Sequence, residues 1–156
     1  MDITVKQAFS IVSAAVSDCG ECARLLVEQL AEHGVNISAD RLLCVLEEIV
    51  ADEARGFLLL ARDDGRVAGV AYVATIPSVE HCGLVAWLEE LYVAPAYRSR
   101  GIGTALVEAV LERARKMDIV AIDLEIDAEH SRAESLYRRL GFRPLNRSRW
   151  VRELTY

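Results

Sequence analysis

The sequence predicts an α/β (α+β) fold: one domain with a mixed, mostly antiparallel sheet and elements in the order β-α-α-β-β-β-α-β-α-β. Three observations carry this prediction. Two strand-like runs flank a "DDG" turn at residues 63–65. A third run, "GLVAWLEELYV", stops just before Pro95. An amphipathic helical pattern, "GTALVEAVLERARKM", then leads to a further apolar run, "IVAIDLEID". The first observation is a hairpin signal, and the last is a strand–helix–strand crossover that should be right-handed.

Taken in order, "ITVKQAF" begins with period-two alternation and reads as a first strand. Ser17 or Asp18 can cap a helix, with Glu21 as the reciprocal partner of a capping box. Within "CARLLVEQLAEHG", Leu26 and Leu30 recur at helical spacing, and Gly34 ends the run. Ser38 caps a second helix, "ADRLLCVLEEIVADEARG", which closes at Gly56. The hairpin and the third strand follow. In the next helix Leu106, Ala109, Val110, Ala114 and Met117 form one apolar stripe. Ser131 caps "RAESLYRRL", Gly141 stops it, and "NRSRWVREL" reads as the last strand. No repeat, low-complexity tract or linker interrupts residues 1–156, so one domain is expected.

Composition narrows the function classes. With 53% hydrophobic and 27% charged residues the chain is an ordinary globular one. No apolar run reaches the roughly 20 residues that span a bilayer, and "MDITVKQAFS" lacks a signal-peptide pattern, so the expectation is a cytoplasmic protein without a membrane partner. Cys19, Cys22, Cys44 and Cys82 suit reduced thiols. Cys19 and Cys22 form a lone C-x-x-C with no second pair for zinc, so packing at a helix start is expected, with no metal, and a redox pair is the alternative.

A net charge of −6 argues against nucleic acid, although Arg138, Arg139, Arg143, Arg147, Arg149 and Arg152 cluster late; no aromatics interleave them in a binding pattern. The charge is uneven: residues 1–94 carry a net −9 and residues 95–156 a net +3.

The stretch "LEELYVAPAYRSRGIGTALVE" holds the chemistry. A glycine-rich turn at a helix start exposes backbone N–H groups without partners, and the helix dipole adds positive character there. Such a place binds phosphate. Gly101 and Gly103 permit close backbone approach, and Arg98 and Arg100 add full charges. "GIGTAL" lacks the third glycine of a dinucleotide fingerprint, and no P-loop pattern occurs. What remains is R-x-x-G-x-G, matched by Arg98, Gly101 and Gly103.

With "LEELYV" before it and "LYRRLGF" about forty residues on, this pattern resembles the Gcn5-related N-acetyltransferase (GNAT) superfamily, which moves an acetyl group from acetyl-CoA to an amine. The resemblance implies a GNAT-like fold over nearly the whole chain. It implies a pyrophosphate cradle from Arg98, Ser99, Arg100, Gly101, Ile102, Gly103 and Thr104. It also implies that the strand ending "LYV" splays from "AIDLEI". Leu91, Tyr92 and Val93 would bond the pantetheine arm in that gap, and an N–H near Val93 would polarise the thioester carbonyl. Where many members carry a cofactor-contacting asparagine this chain has His130, which can still donate one hydrogen bond or be a loop histidine.

An amine attacks only when neutral, and the leaving thiolate benefits from a proton. Tyr137 matches the family position that donates to the sulfur. Glu89 and Glu90 are adjacent on a strand and so should face opposite sides. By resemblance to the LED-type motif of polyamine-acetylating relatives, Glu89 is the expected base and Glu90 the alternative. The acidic half, including Glu47, Glu48, Asp52 and Glu53, suits a small cationic acceptor: a polyamine, a diamine or an aminoglycoside. A protein N-terminus or lysine, a non-catalytic acyl-CoA-binding regulatory module, and a homodimer all stay open at this stage.

Overall fold

A computed structural model of the chain describes residues 9–127 and 131–154. It divides into two compact units after Glu125.

The first unit is built on a five-stranded sheet in the order β1 (Phe9–Ser13), β2 (Gly56–Asp63), β3 (Arg66–Ser78), β4 (Gly83–Val93) and β5 (Ala121–Leu124). The first four strands pair antiparallel, and β5 pairs parallel to β4. Helices α1 (Cys19–Glu32) and α2 (Ala39–Ala51) follow β1, and α3 (Ile102–Lys116) makes the crossover from β4 to β5.

Local chemistry explains most of these boundaries. The β2–β3 turn places Asp64 at φ 49° and Gly65 at φ 79°, the two positive values of a type I′ hairpin that matches strand twist. The Arg41 N–H donates to Ser38 Oγ at 3.4 Å, so Ser38 caps α2 as expected. The capping box expected ahead of α1 does not form. Asp18 stands at the cap position, but its carboxylate accepts from the Ala15 N–H at 2.8 Å and pairs with Arg62. Glu21 instead accepts from the Val67 N–H at 3.1 Å. Both acids tie α1 to the sheet, because each finds a sheet donor within reach.

The core lies on both faces of β2 and β3. On one face Leu58, Leu60, Val70 and Tyr92 pack with Leu25, Leu26, Leu46 and Ile49 of α1 and α2. Cys19 and Cys22 are fully buried in the same cluster, and burial pushes the Cys22 thiol up to about 12. On the other face lie Ile102, Leu106 and the Arg113 guanidinium, which sits 5.4 Å over the Phe57 ring.

Two glycines set how closely these layers meet. Gly56 has φ 141°, and a Cβ there would stand 1.9 Å from the Val73 carbonyl oxygen. A Cβ on Gly69 would stand 2.8 Å from the Tyr92 carbonyl oxygen and 3.3 Å from Ile102 Cγ2. Gly69 is what lets the first turn of α3 lie flat on the sheet.

Other sequence expectations need correction. "ITVKQAF" lies mostly outside the described residues, and the first described strand starts at Phe9. α2 ends at Ala51 rather than at Gly56. In the second unit, α4 is described over Ser131–Arg139, and the cap expected at Ser131 borders residues 128–130, outside the described ones. Gly141, at φ 90°, ends that helix as expected, with the Phe142 N–H donating to the Tyr137 carbonyl at 3.0 Å. Residues 146–154 form no strand. A strand needs a partner edge and a buried face, and here Trp150 is 90% and Val151 84% exposed. The expected order is thus met up to α4, without the final strand. No described helix is long and apolar enough to cross a membrane.

Gly56→Ala should lower the thermal midpoint by roughly 5 °C or more, since strain and clash together exceed about 2 kcal/mol in a domain of this size. A thermal melt of the variant beside the parent chain checks this.

Candidate active site

The site begins where a ladder stops. β4 and β5 pair from Val85↔Ala121 to Leu88↔Leu124, and there β5 ends. β4 runs on to Val93, still paired to β3 on its other side. The Ala94 N–H donates to the Ala68 carbonyl at 2.9 Å. By antiparallel alternation, this turns the backbone groups of Tyr92 toward β3 and those of Leu91 and Val93 away from it. β5 does not reach them. Where "LYV" is expected to splay from "AIDLEI", strand pairing has already ended at Leu88↔Leu124.

The ladder ends at a bulge. Val73 pairs with Leu88 and Tyr72 with Glu90, which leaves Glu89 as the extra residue of β4. Simple alternation, on which the expectation of opposite faces for Glu89 and Glu90 rests, is interrupted at this point. Glu90 shares the face of Tyr72 and Tyr92, under α1. Glu89 is exposed, and its charge acts on both Glu90 and Tyr72.

Glu90 is half-buried, and Gln29 of α1 donates Nε2–H to its Oε2 at 2.6 Å. Burial, with the neighbouring charge of Glu89 second, raises the Glu90 carboxyl to about 6, against the opposing pull of Gln29. Such a carboxyl changes state close to neutral pH, which a proton acceptor needs. Sequence reasoning missed Gln29. Its one signal is a polar residue in the apolar stripe of Cys22, Leu25 and Leu26.

The glycine-rich turn lies beyond β4, after a single 3₁₀ turn at Pro95–Tyr97. Ser99 at φ 61° and Gly101 at φ 80° are both left-handed, which curls the chain into α3. No side chain caps that helix, and its first turn holds no acid. The first bond of the helix runs from the Ala105 N–H to the Gly101 carbonyl at 3.0 Å, so the N–H groups of Ile102, Gly103 and Thr104 precede the ladder. A Cβ on Gly101 would meet nothing within 4 Å. A phosphate-bearing ligand such as coenzyme A fits this open, positively polarised turn.

Both arginines of the turn have internal partners. Arg98 donates Nε–H to the Val93 carbonyl at 2.9 Å, lies 5.4 Å over the Tyr92 ring and reaches Glu32. Tyr92 in turn donates its hydroxyl to Glu32 at 2.7 Å. Arg100 pairs with Asp63 at 2.7 Å. Their first task is to hold the turn against α1 and β2, which leaves the backbone amides as the anion donors.

Acids in and just after α2 are engaged similarly: Arg55 pairs with Glu48 and Asp52, and Arg113 with Glu53. In the second unit, Tyr137 is 7% exposed and meets Phe142 edge-on at 5.6 Å, and burial pushes its phenol up to about 12. His130 lies outside the described residues.

The model of the acetyltransferase (GNAT) family matches residues 23–142. The chain belongs to this family. It is 31% identical to a thialysine N-ε-acetyltransferase from Mus musculus, across 88% of this chain and 86% of that protein. It is 34% identical to a mycothiol acetyltransferase from Pseudarthrobacter chlorophenolicus across 80% of this chain, which spans only about a third (36%) of that relative's length. A structure described as a predicted acetyltransferase with acetyl-CoA, from Clostridium acetobutylicum, superposes with a TM-score of 0.77 at 17% identity, over 92% of this chain and 96% of that one. That last likeness speaks for the fold.

The Glu90 shift has a stability consequence. A carboxyl raised by burial binds its proton more tightly when folded, so its contribution is complete below the unfolded value of about 4.3 and is lost as pH rises through about 6. Glu90→Gln keeps a neutral group there at every pH. Its thermal midpoint relative to the parent chain should therefore improve between pH 5 and pH 8, by a few degrees. A pH-independent difference in midpoints would contradict the assignment.

Proposed function

We propose that the chain transfers an acetyl group from acetyl-CoA to a primary amine of a small cationic acceptor, by direct attack in a ternary complex. The observation that carries this proposal is the early end of the β4–β5 ladder beside the uncapped start of α3. Two kinds of backbone donor converge there, one set along an unpaired strand edge and one at a helix end. A long ligand with an amide-rich arm and a pyrophosphate needs both.

Acetyl-CoA supplies the electrophilic thioester. Amides between Ser99 and Thr104 hold its pyrophosphate, while Arg98 and Arg100 brace that turn. Leu91 and Val93 offer backbone groups to the pantetheine arm, alongside Tyr92, and the Val93 N–H polarises the carbonyl. His130 remains the candidate for a further cofactor bond.

For the base, geometry favours Glu90 over Glu89. Glu90 is buried enough to stand near 6 and is held by Gln29, whereas Glu89 is exposed and adds negative potential beside it. The pair attracts a cationic amine, and Glu90 takes the proton the amine must lose. Tyr137 supplies a proton to the leaving sulfur, and its raised pKa keeps it protonated throughout the working range. The acceptor class rests on this acidic pair. The name of the mouse relative, which places its acetyl group on the ε-nitrogen of thialysine, points the same way.

Thermal melts with acetyl-CoA and with free CoA, followed by a thiol-release assay over polyamines, diamines, aminoglycosides and thialysine, test the proposal. A ligand at about 100 times its Kd adds roughly 2.7 kcal/mol and should raise the midpoint by several degrees. No rise at millimolar ligand would overturn it. So would faster acetylation of neutral or acidic acceptors than of every cationic one.

Two variants separate binding from chemistry. Gly103→Ala should gain up to about 1 kcal/mol as a better helix former yet bind acetyl-CoA about tenfold more weakly, since its Cβ enters the space over the turn. Glu90→Gln and Tyr137→Phe should each lower kcat by roughly 10²-fold or more while melts with CoA still shift. Unchanged rates in both would refute the assigned roles.

A further inference from the structure

Resting on Glu90 as the base, the inference concerns what holds that base. Gln29 is an unusual occupant of its position. It continues the buried stripe of Cys22, Leu25 and Leu26 on α1 and is only 9% exposed. A leucine would pack there at no polar cost. Its Nε2 donates to Glu90, while its Oε1 is buried without a hydrogen-bond partner among the described residues. A buried acceptor left so is costly and calls for an explanation.

We propose that Gln29 is a positioning residue for Glu90, its amide donating from Nε2 while the carboxylate is ionised and turning over to accept the Glu90 O–H at Oε1 once the carboxylate has taken the proton of the amine. The step balances: Glu90 takes one proton from the ammonium, and the freed lone pair bonds the acetyl carbon as the C–S bond breaks. Tyr137 gives its proton to the leaving thiolate and is restored by the second proton shed by the nitrogen, and Glu90 releases its proton to solvent before the next cycle. An amide carries a donor and an acceptor at geometrically equivalent ends, so it serves both states in nearly one geometry. The otherwise orphaned Oε1 is then used for part of each turnover.

The surroundings leave this task to Gln29. Glu90 faces Tyr72 across the ladder on β3, Glu89 beside it on β4, and Gln29 from α1. Tyr72 is itself raised by burial and by Glu89, and the further acids of α1, Glu28 and Glu32, act on Tyr92. Among the described residues, Gln29 is the group acting on Glu90 that favours its ionised form. One turn on, Glu32 binds Tyr92 and Arg98, so α1 is fastened to β4 at two points and Gln29 has a fixed base.

Gln29→Met keeps the length and apolar packing and removes both polar ends; Gln29→Leu is the second variant should the first fold poorly. The test is the pH profile of kcat/KM for the parent, these variants and Glu90→Gln, with the best amine from the screen and a CoA melt as a folding and binding control. Loss of the donor should move the acidic limb up by about one pH unit, a loss of about fivefold at pH 6 that approaches tenfold at lower pH and recovers to within a few fold at high pH. The shift with CoA should be unaltered. An unmoved limb, or a loss equal at every pH, would overturn the inference. If Glu90→Gln keeps the parent profile, the base assignment fails instead, whatever Gln29 does.

Discussion

The rest of the site depends on one constraint: β4 outlives its parallel partner. Strand pairing to β5 stops at Leu88↔Leu124, whereas pairing to β3 continues to Val93. Backbone N–H and C=O groups are obligatory hydrogen-bonding groups, so a strand edge exposed in the middle of a sheet is a ready-made receptor for another backbone-like chain. The bulge at Glu89 belongs to the same event. It shifts the alternation by one residue and brings Glu90 under α1 while leaving Glu89 outside. Continuous pairing through this region would remove both the edge and the half-buried carboxyl.

The helix that follows is set by the same strand. Arg98 holds the Val93 carbonyl and Glu32, Gly69 lets Ile102 and Leu106 close on the sheet, and α3 starts uncapped a few residues from the open edge. Exposed ion pairs of this kind contribute little to stability, about 0–1 kcal/mol. Their importance is geometric. With Arg98 and Arg100 paired to carboxylates, the local charge is nearly balanced, and what the turn offers an anion is its backbone amides and the helix dipole. A site of that kind selects by shape as well as charge, which suits a ligand with an extended arm.

Much of this was legible in the sequence, because strong local rules governed it. The Asp64-Gly65 turn, the Ser38 cap, the Gly34 and Gly141 stops and the full extent of β4 each rest on chemistry within a few residues. The glycine-rich turn was legible for the same reason. The bulge at Glu89, the tie of Gln29 to Glu90 and the close approach at Gly69 rest on partners about 16 to 61 residues away, and no local pattern encodes them. Asp18 and Glu21 mislead for a related reason: they match a capping box, but Arg62 and the Val67 N–H outcompete the helix end for their oxygens. "NRSRWVREL" reads as a strand and forms none, since apolar residues fix a strand's face only when something covers them, and Trp150 and Val151 are exposed.

The central claim is that the unpaired edge of β4 and the start of α3 together receive coenzyme A. Backbone amide NMR of the chain titrated with CoA tests it residue by residue. The expected result is large, saturable shifts at Leu91, Val93 and Ser99 to Thr104, with the β1–β2 edge unaffected. Saturable shifts confined to other segments, or none at these amides, would contradict it.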